Sequence, residues 1–173
     1  VNRADVRVIQ RGSIARLAET GNVHSLTYFE TIGAAGLMDG SEVFPLYHVL
    51  ADIGEFGATK IFTTHSTHPL VTDGLTLVNA QGRRRILVAN FTDEILETKI
   101  KTGQVKASIR YLDETNGRAA MSDPEEFRRD SGKPADAVSG KIELKLLPFA
   151  IAFGWLLARC LWREGKFAES LEL

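Results

Sequence analysis

The chain has 173 residues, of which 44% are hydrophobic and 25% charged, and 21 basic residues balance 22 acidic ones. Those proportions belong to a globular chain rather than a disordered one, and the near-zero net charge leaves no electrostatic footprint for nucleic acid. The single cysteine, Cys160, excludes an internal disulfide and a thiolate zinc site.

Taken in chain order, the first unit reads as helix, turn and strand. Ser13 can cap a helix in which Ile14, Leu17 and Ala18 share a face, with Gly21 as its stop. The run from Val23 to Glu30 is rich in β-branched and aromatic residues, as a buried strand requires. Glycines 33, 36 and 40 mark the next segment as a loop. A second helix follows. Pro45 suits its first turn, Leu46, Val49, Leu50, Ile53 and Phe56 recur at helical spacing, and Gly57 ends it. Helix, strand, Gly-rich loop, helix is the order of an α/β sheet or a (β/α)8 barrel.

From Lys60 the period changes. Strand-like runs occupy 60–64, 74–79, 85–91, 96–101, 105–112 and 140–147, separated by Asp73-Gly74, Gln81-Gly82, Thr102-Gly103 and Asn116-Gly117 as turn signals. Short strands at this spacing indicate an antiparallel β-sandwich. In 105–111, Val105, Ala107, Ile109 and Tyr111 point one way, with Lys106, Ser108 and Arg110 outward. The polar stretch 113–138 reads as an excursion with one helical turn around Pro124 to Arg128. Leu146 to Trp162 is interrupted by Pro148, Gly154 and Arg159 and falls short of the about 20 apolar residues of a span, so it reads as core strand plus helix. Leu156, Leu157, Cys160 and Leu161 fall at helical spacing, which allows a helix in the tail.

The fold expected is therefore α+β: the terminal βα unit of a (β/α)8 barrel, then an antiparallel β-sandwich, with room for a C-terminal helix. The divisions are 1–60, 61–153 and 154–173. A chain that opens on Val1 and runs almost at once into a helical pattern reads as truncated, and it shows no signal peptide. A cytoplasmic location without membrane attachment is expected. One strand and two helices cannot close a barrel, so self-association through their exposed faces, or local rearrangement, is expected as well.

The chemistry-bearing candidates are few. Glu30 closes an apolar and hydroxylic strand just before a glycine-rich loop, the place where a barrel enzyme builds its active site. A carboxylate there can act as general acid or base, or accept hydrogen bonds from sugar hydroxyls. Tyr28 shares its side of the strand and could reach the mouth of a pocket, whereas His24 lies deeper, as a core residue. His65 and His68 have the spacing of a weak metal pair, but no helix holds them and no carboxylate adjoins them. His48 lies off the apolar stripe of its helix and reads as exposed or interdomain. Arg83-Arg84-Arg85 reads as a solvated hairpin tip, and the sequon at Asn90 falls in a strand. No phosphate loop, dinucleotide fingerprint or nucleophile elbow is present, and neither a metal nor a cofactor is expected.

An ordered set of segments carries a resemblance: Ser25 to Gly33 (SLTYFETIG), Val43 to Ile53 (VFPLYHVLADI), Ile86 to Thr92 (ILVANFT), Met121 to Arg128 (MSDPEEFR) and Leu147 to Ala150 (LPFA). Together they resemble the C-terminal third of D-apionate lactonases over residues 10–152. The resemblance implies the end of a glycoside-hydrolase-like barrel joined to a β-sandwich, and hydrolysis of D-apionolactone to D-apionate. The implied partner is a small sugar lactone or other carbohydrate, with Glu30 as the catalytic candidate and Tyr28 as the substrate-binding one. A glycoside hydrolase and a non-catalytic sandwich that supports the barrel or binds carbohydrate are the alternatives.

Overall fold

A computed structural model describes residues 20, 30–34, 36–62, 64–103, 105–156 and 169–172. The helix at Ser13, the strand residues before Glu30 (Tyr28 and His24 among them) and Cys160 lie outside the described residues.

A small hairpin, β1 (Met38–Asp39) and β2 (Glu42–Val43), leads into helix α1 (Pro45–Phe56). Pro45 stands in the first turn, where its missing N–H costs no hydrogen bond, and Gly57 closes the helix in the left-handed conformation. The strands are β3 (Ala58–Phe62), β4 (Thr64–Ser66), β5 (Thr72–Asn79), β6 (Arg84–Asn90), β7 (Leu96–Lys101) and β8 (Lys106–Leu112). Two short helices, α2 (Gly117–Ser122) and α3 (Pro124–Arg129), precede β9 (Lys133–Asp136), β10 (Lys141–Leu146), β11 (Ile151–Leu156) and β12 (Glu169–Glu172).

The strands form two main sheets, ordered β3-β5-β6-β11-β8-β9 and β10-β7-β12-β4. Period-two alternation gives the six-stranded sheet two apolar faces. Ile86, Val88, Ile109, Ala152 and Leu156 meet Ile100, Ile142, Leu144, Leu146 and Leu171 between the sheets. The opposite face carries Leu75, Leu77, Leu87, Leu112, Ile151 and Phe153, and Leu46 and Val49 of α1 pack there with Ala120 of α2. The molecule is thus a sandwich with a third, helical layer on one sheet. That layer explains the continuous burial of β5, whose eight residues are all covered, where a two-layer sandwich would show alternation.

Several expectations change here. Asp73-Gly74 is not a turn but part of β5, paired with Ala89 and Val88 of β6. Arg84 and Arg85 begin β6 instead of forming a hairpin tip, and Arg84 is only 7% exposed. Arg110 does face away from the sandwich core, as the alternation requires, yet the helical layer buries it to 3% exposure. His48 is fully buried for the same reason.

In the tail, residues 154–156 are strand and 169–172 are another strand, while 157–168 lie outside the described residues. β12 inserts between β4 and β7, parallel to the first and antiparallel to the second, so the sandwich is not wholly antiparallel. Leu171 is fully buried in the inter-sheet core. Leu171→Ala is therefore expected to lower unfolding free energy by about 2–5 kcal/mol in urea denaturation, as for any well-packed core leucine. A change under about 0.5 kcal/mol, the range of surface substitutions, would show that β12 contributes little.

Candidate functional site

Glu30 is exposed and stands at the start of the loop that leads to α1. Thr31 accepts backbone hydrogen bonds from Leu37 and Met38 at 3.0 and 3.2 Å, and Leu37 accepts one from Phe44 at 2.8 Å. This chain of bonds ties the Glu30 end of the loop to the N-terminal end of α1. The Glu30 carboxylate lies against Gly33, where its Oε2 would be 2.8 Å from an added Cβ. Gly33 has φ +123°, so a side chain there would meet both backbone strain and the carboxylate.

At the same end of α1 opens a cleft of about 490 Å³ whose lining includes Pro45, Asp93, Asp113, Glu114 and Phe149. Phe149 adopts a left-handed backbone, φ 53°, held by its N–H to the Thr92 carbonyl at 3.0 Å. The Asp113 carboxylate accepts from the Thr115 hydroxyl at 2.6 Å, which shapes the turn into α2. The cleft thus combines the carboxylates of Asp93, Asp113 and Glu114 with the rings of Pro45 and Phe149.

Between α1 and the sheet lies the strongest electrostatic feature. Asp52, 3% exposed, receives Arg85 Nη1 at 2.9 Å, and Arg110 Nη2 stands 3.8 Å away. Arg85 Nη1 also donates to the Asp52 carbonyl at 3.1 Å. Arg110 Nη1 reaches the carbonyls of Phe127, Arg128 and Asp130 at 3.0–3.1 Å, and so satisfies the C-terminal end of α3. Its guanidinium carbon lies 4.7, 5.2 and 4.9 Å from the rings of Phe127, Phe153 and Trp155. Arg128 pairs with Glu55, which joins α3 to α1. Burial raises the Asp52 carboxyl above its ordinary value, against the pull of Arg85, Arg110 and Arg128. Burial likewise lowers both arginines against the pull of Asp52. Removing one member of a buried cluster of this kind leaves a charge without its partner, so the cluster constrains where α1 sits.

His48 completes the interface. Its Nε2–H donates to the Ala120 carbonyl at 2.9 Å, which leaves Nδ1 buried without a hydrogen-bond partner, and its ring meets Phe127 edge-on at 4.6 Å. Burial, with the charges of Arg128 and Arg110, lowers its pKa to about 4 despite the Ala120 bond.

His65 is exposed on β4 and His68 lies in the turn after it, bonded through Nδ1 to the Thr67 hydroxyl. Among the described residues no group of three or more His, Cys, Asp or Glu could hold a metal. Asn90 is buried and donates to the carbonyls of Glu94 and Leu147. Of the two sequence candidates only Glu30 is described, so its relation to Tyr28 is outside the described residues. The buried charges were missed in the sequence because an arginine at an outward strand position signals solvent unless a further layer is known.

Residues 69–153 match the family model of the D-apionate lactonase C-terminal immunoglobulin-like domain. That segment, just under half of the chain, is similar to this domain. No curated protein matches the chain. Among solved structures it is similar to the glycoside hydrolase family 30 subfamily 8 xylanase Xyn30A from Clostridium acetobutylicum, with TM-score 0.58 and 11% identity. The match covers 91% of this chain and 40% of the xylanase, so the chain spans less than half of that enzyme's length. Weaker likenesses are to CelM2, a glucanase-xylanase from a metagenome library (TM-score 0.37, 14% identity, 52% of this chain and 16% of that one), and to the isomaltulose synthase PalI from Klebsiella sp. LX3 (TM-score 0.27, 12% identity, 53% and 13%). The xylanase likeness shows the fold. Among the described residues no helix is long and apolar enough to cross a membrane.

Two outcomes follow from the interface. Asp52→Ala leaves two buried guanidinium groups uncompensated and is expected to destabilise by about 3–5 kcal/mol. Replacing Asp52, Arg85 and Arg110 together by apolar residues of similar volume should recover most of that loss in the same chemical denaturation. For His48, whose folded pKa lies below the unfolded value near 6.5, stability is fully present above about pH 6.5 and declines as pH falls toward 4. That decline is on the order of 3 kcal/mol. The difference between the wild type and His48→Gln in unfolding free energy should change across this window and stay constant above it.

Proposed function

We propose that the chain is the C-terminal region of a sugar-lactone hydrolase, its parent reaction being the hydrolysis of D-apionolactone to D-apionate. The observation that carries this reading is the family match over residues 69–153, on a domain whose outer sheet face is occupied by a helix instead of by solvent. In this reading α1 is the last helix of a (β/α)8 barrel, and residues 1–60 contribute its final βα unit. The immunoglobulin-like domain supports the barrel from outside. Glu30 then stands at the carboxyl end of the last barrel strand, on the face where barrel enzymes act.

Lactone hydrolysis needs a base to activate water and fixed donors for the oxyanion at the carbonyl. Glu30 is the general base or hydroxyl acceptor that this chain supplies, with Tyr28 beside the substrate, and the remaining groups belong to other barrel strands. No cofactor enters. The acidic and aromatic cleft beside Pro45 is on the same end of α1 and would face the outer part of the substrate. A glycoside hydrolase is the second reading, favoured by the likeness of fold to the xylanase. It would place a second carboxylate on another strand.

The test uses the full-length enzyme with D-apionolactone and with aryl glycosides as substrates. Glu30→Gln is expected to lower lactone kcat by about 100-fold or more, the usual worth of a positioned general base, with unfolding unchanged. Unaltered turnover would remove Glu30 from the site, and turnover of the glycosides alone would replace the lactonase reading by the second one.

A further inference from the structure

At the C-terminal end of α1, opposite to Glu30, the molecule has a second cleft of about 390 Å³, lined by Glu55, Phe56, Arg83, Arg85 and Trp155 among others. Its back wall is built on stacked rings and an ion pair. The Arg85 guanidinium carbon lies 4.8 Å from the centre of the Phe56 ring and 5.2 Å from that of Trp155, and Arg85 Nη1 is bound to Asp52. Arg85 and Trp155 are also cross-strand partners in β6 and β11, so sheet register as well as stacking places the indole. Trp155 and Phe56, the two rings of this lining, are each partly exposed.

On the rim stands Arg83, exposed, its backbone N–H donating to the Asn79 side chain at 3.0 Å. That bond fixes the position of its Cα at the end of the β5–β6 hairpin. No carboxylate among the described residues pairs with its guanidinium, whereas Glu55, the acidic residue of this lining, is engaged with Arg128. A planar guanidinium without a carboxylate partner among the described residues, in one lining with an indole, fits a small anion with an apolar face: the guanidinium grips a carboxylate at two points, and the ring takes the C–H face of a sugar.

We propose that this cleft binds a sugar acid, with Arg83 on the carboxylate and Trp155 against the C–H face of its carbon skeleton. The choice of a sugar acid over other carboxylates rests on the lactonase reading, in which the product is itself a sugar acid. The site lies at the far end of α1 from Glu30, so it is a separate binding site and not a part of the catalytic one. Its occupation would act on the Asp52–Arg85 contact that positions α1.

The experiment is a calorimetric titration of the 173-residue chain with D-glucuronate and D-gluconate, alongside D-glucose and inorganic phosphate. The sugar acids are expected to bind saturably, at least one of them more tightly than either control, and Arg83→Gln should weaken that binding by about tenfold or more, as for loss of a charge-assisted contact. Because Arg83 is exposed, this variant should fold normally, and Trp155→Ala is the second test of the ring's part. No saturable binding, equal binding of glucose, equal binding of phosphate, or affinity unchanged in Arg83→Gln would each overturn the proposal. The readout does not depend on hydrolysis. If the intact enzyme fails on lactones while the chain binds glucuronate, the lactonase reading falls and the site stands.

Discussion

One carboxylate decides how this molecule is put together. Asp52 projects from α1 into an apolar layer and finds Arg85 of β6 and Arg110 of β8, on strands separated by β11. Neither arginine could be left there alone, because an unpaired buried guanidinium is far costlier than a solvated one. The helix is thus confined to one position along the sheet, with Glu55 and Arg128 adding a second point of attachment to α3. Apolar packing of Leu46 and Val49 supplies the stabilisation, and the charges supply the registration.

Much of this could be read from residue order. The change of period near residue 60 separates the helical lead-in from the strands, and the apolar stripe of α1 from Leu46 to Phe56 gave its limits closely, Pro45 and Gly57 included. Three features were not legible, each for a physical reason. Arg85 and Arg110 look solvated because period-two alternation specifies a face, not what covers it. His48 lies off the apolar stripe, yet the excursion through α2 and α3 returns over it, a contact with a sequence separation of 72 residues. The strand at Glu169–Glu172 follows a stretch at helical spacing, and it is short and half acidic; only its place between β4 and β7, with Leu171 in the core, makes it a strand. Asp73-Gly74 misled for the converse reason: a turn-forming pair inside β5 is tolerated because Gly74 leaves room for Thr64 and Leu171 beside it.

The candidate site was legible only in outline. Glu30 stands out in the sequence by its place at the end of an apolar run, and backbone hydrogen bonds from Thr31 through Leu37 to Phe44 tie the loop after it to the start of α1. The two clefts at the ends of that helix were not foreseeable, since each is assembled from loops and strand ends far apart in the chain. They differ in chemistry, acidic at the Pro45 end and basic at the Phe56 end, so α1 connects two regions suited to different ligands. Its fixed attachment to the sheet couples the two regions through one helix.

Native-state hydrogen exchange of the chain addresses that attachment directly. If α1 and the sandwich are one unit, the amides of Leu50 to Ile53 exchange with the same opening free energy as those of β6 and β8, and Asp52→Ala lowers the protection of α1 selectively. Exchange of α1 at a far lower opening free energy than β6 in the unaltered chain would contradict the account, because the helix would then lie on the sheet without being held by it.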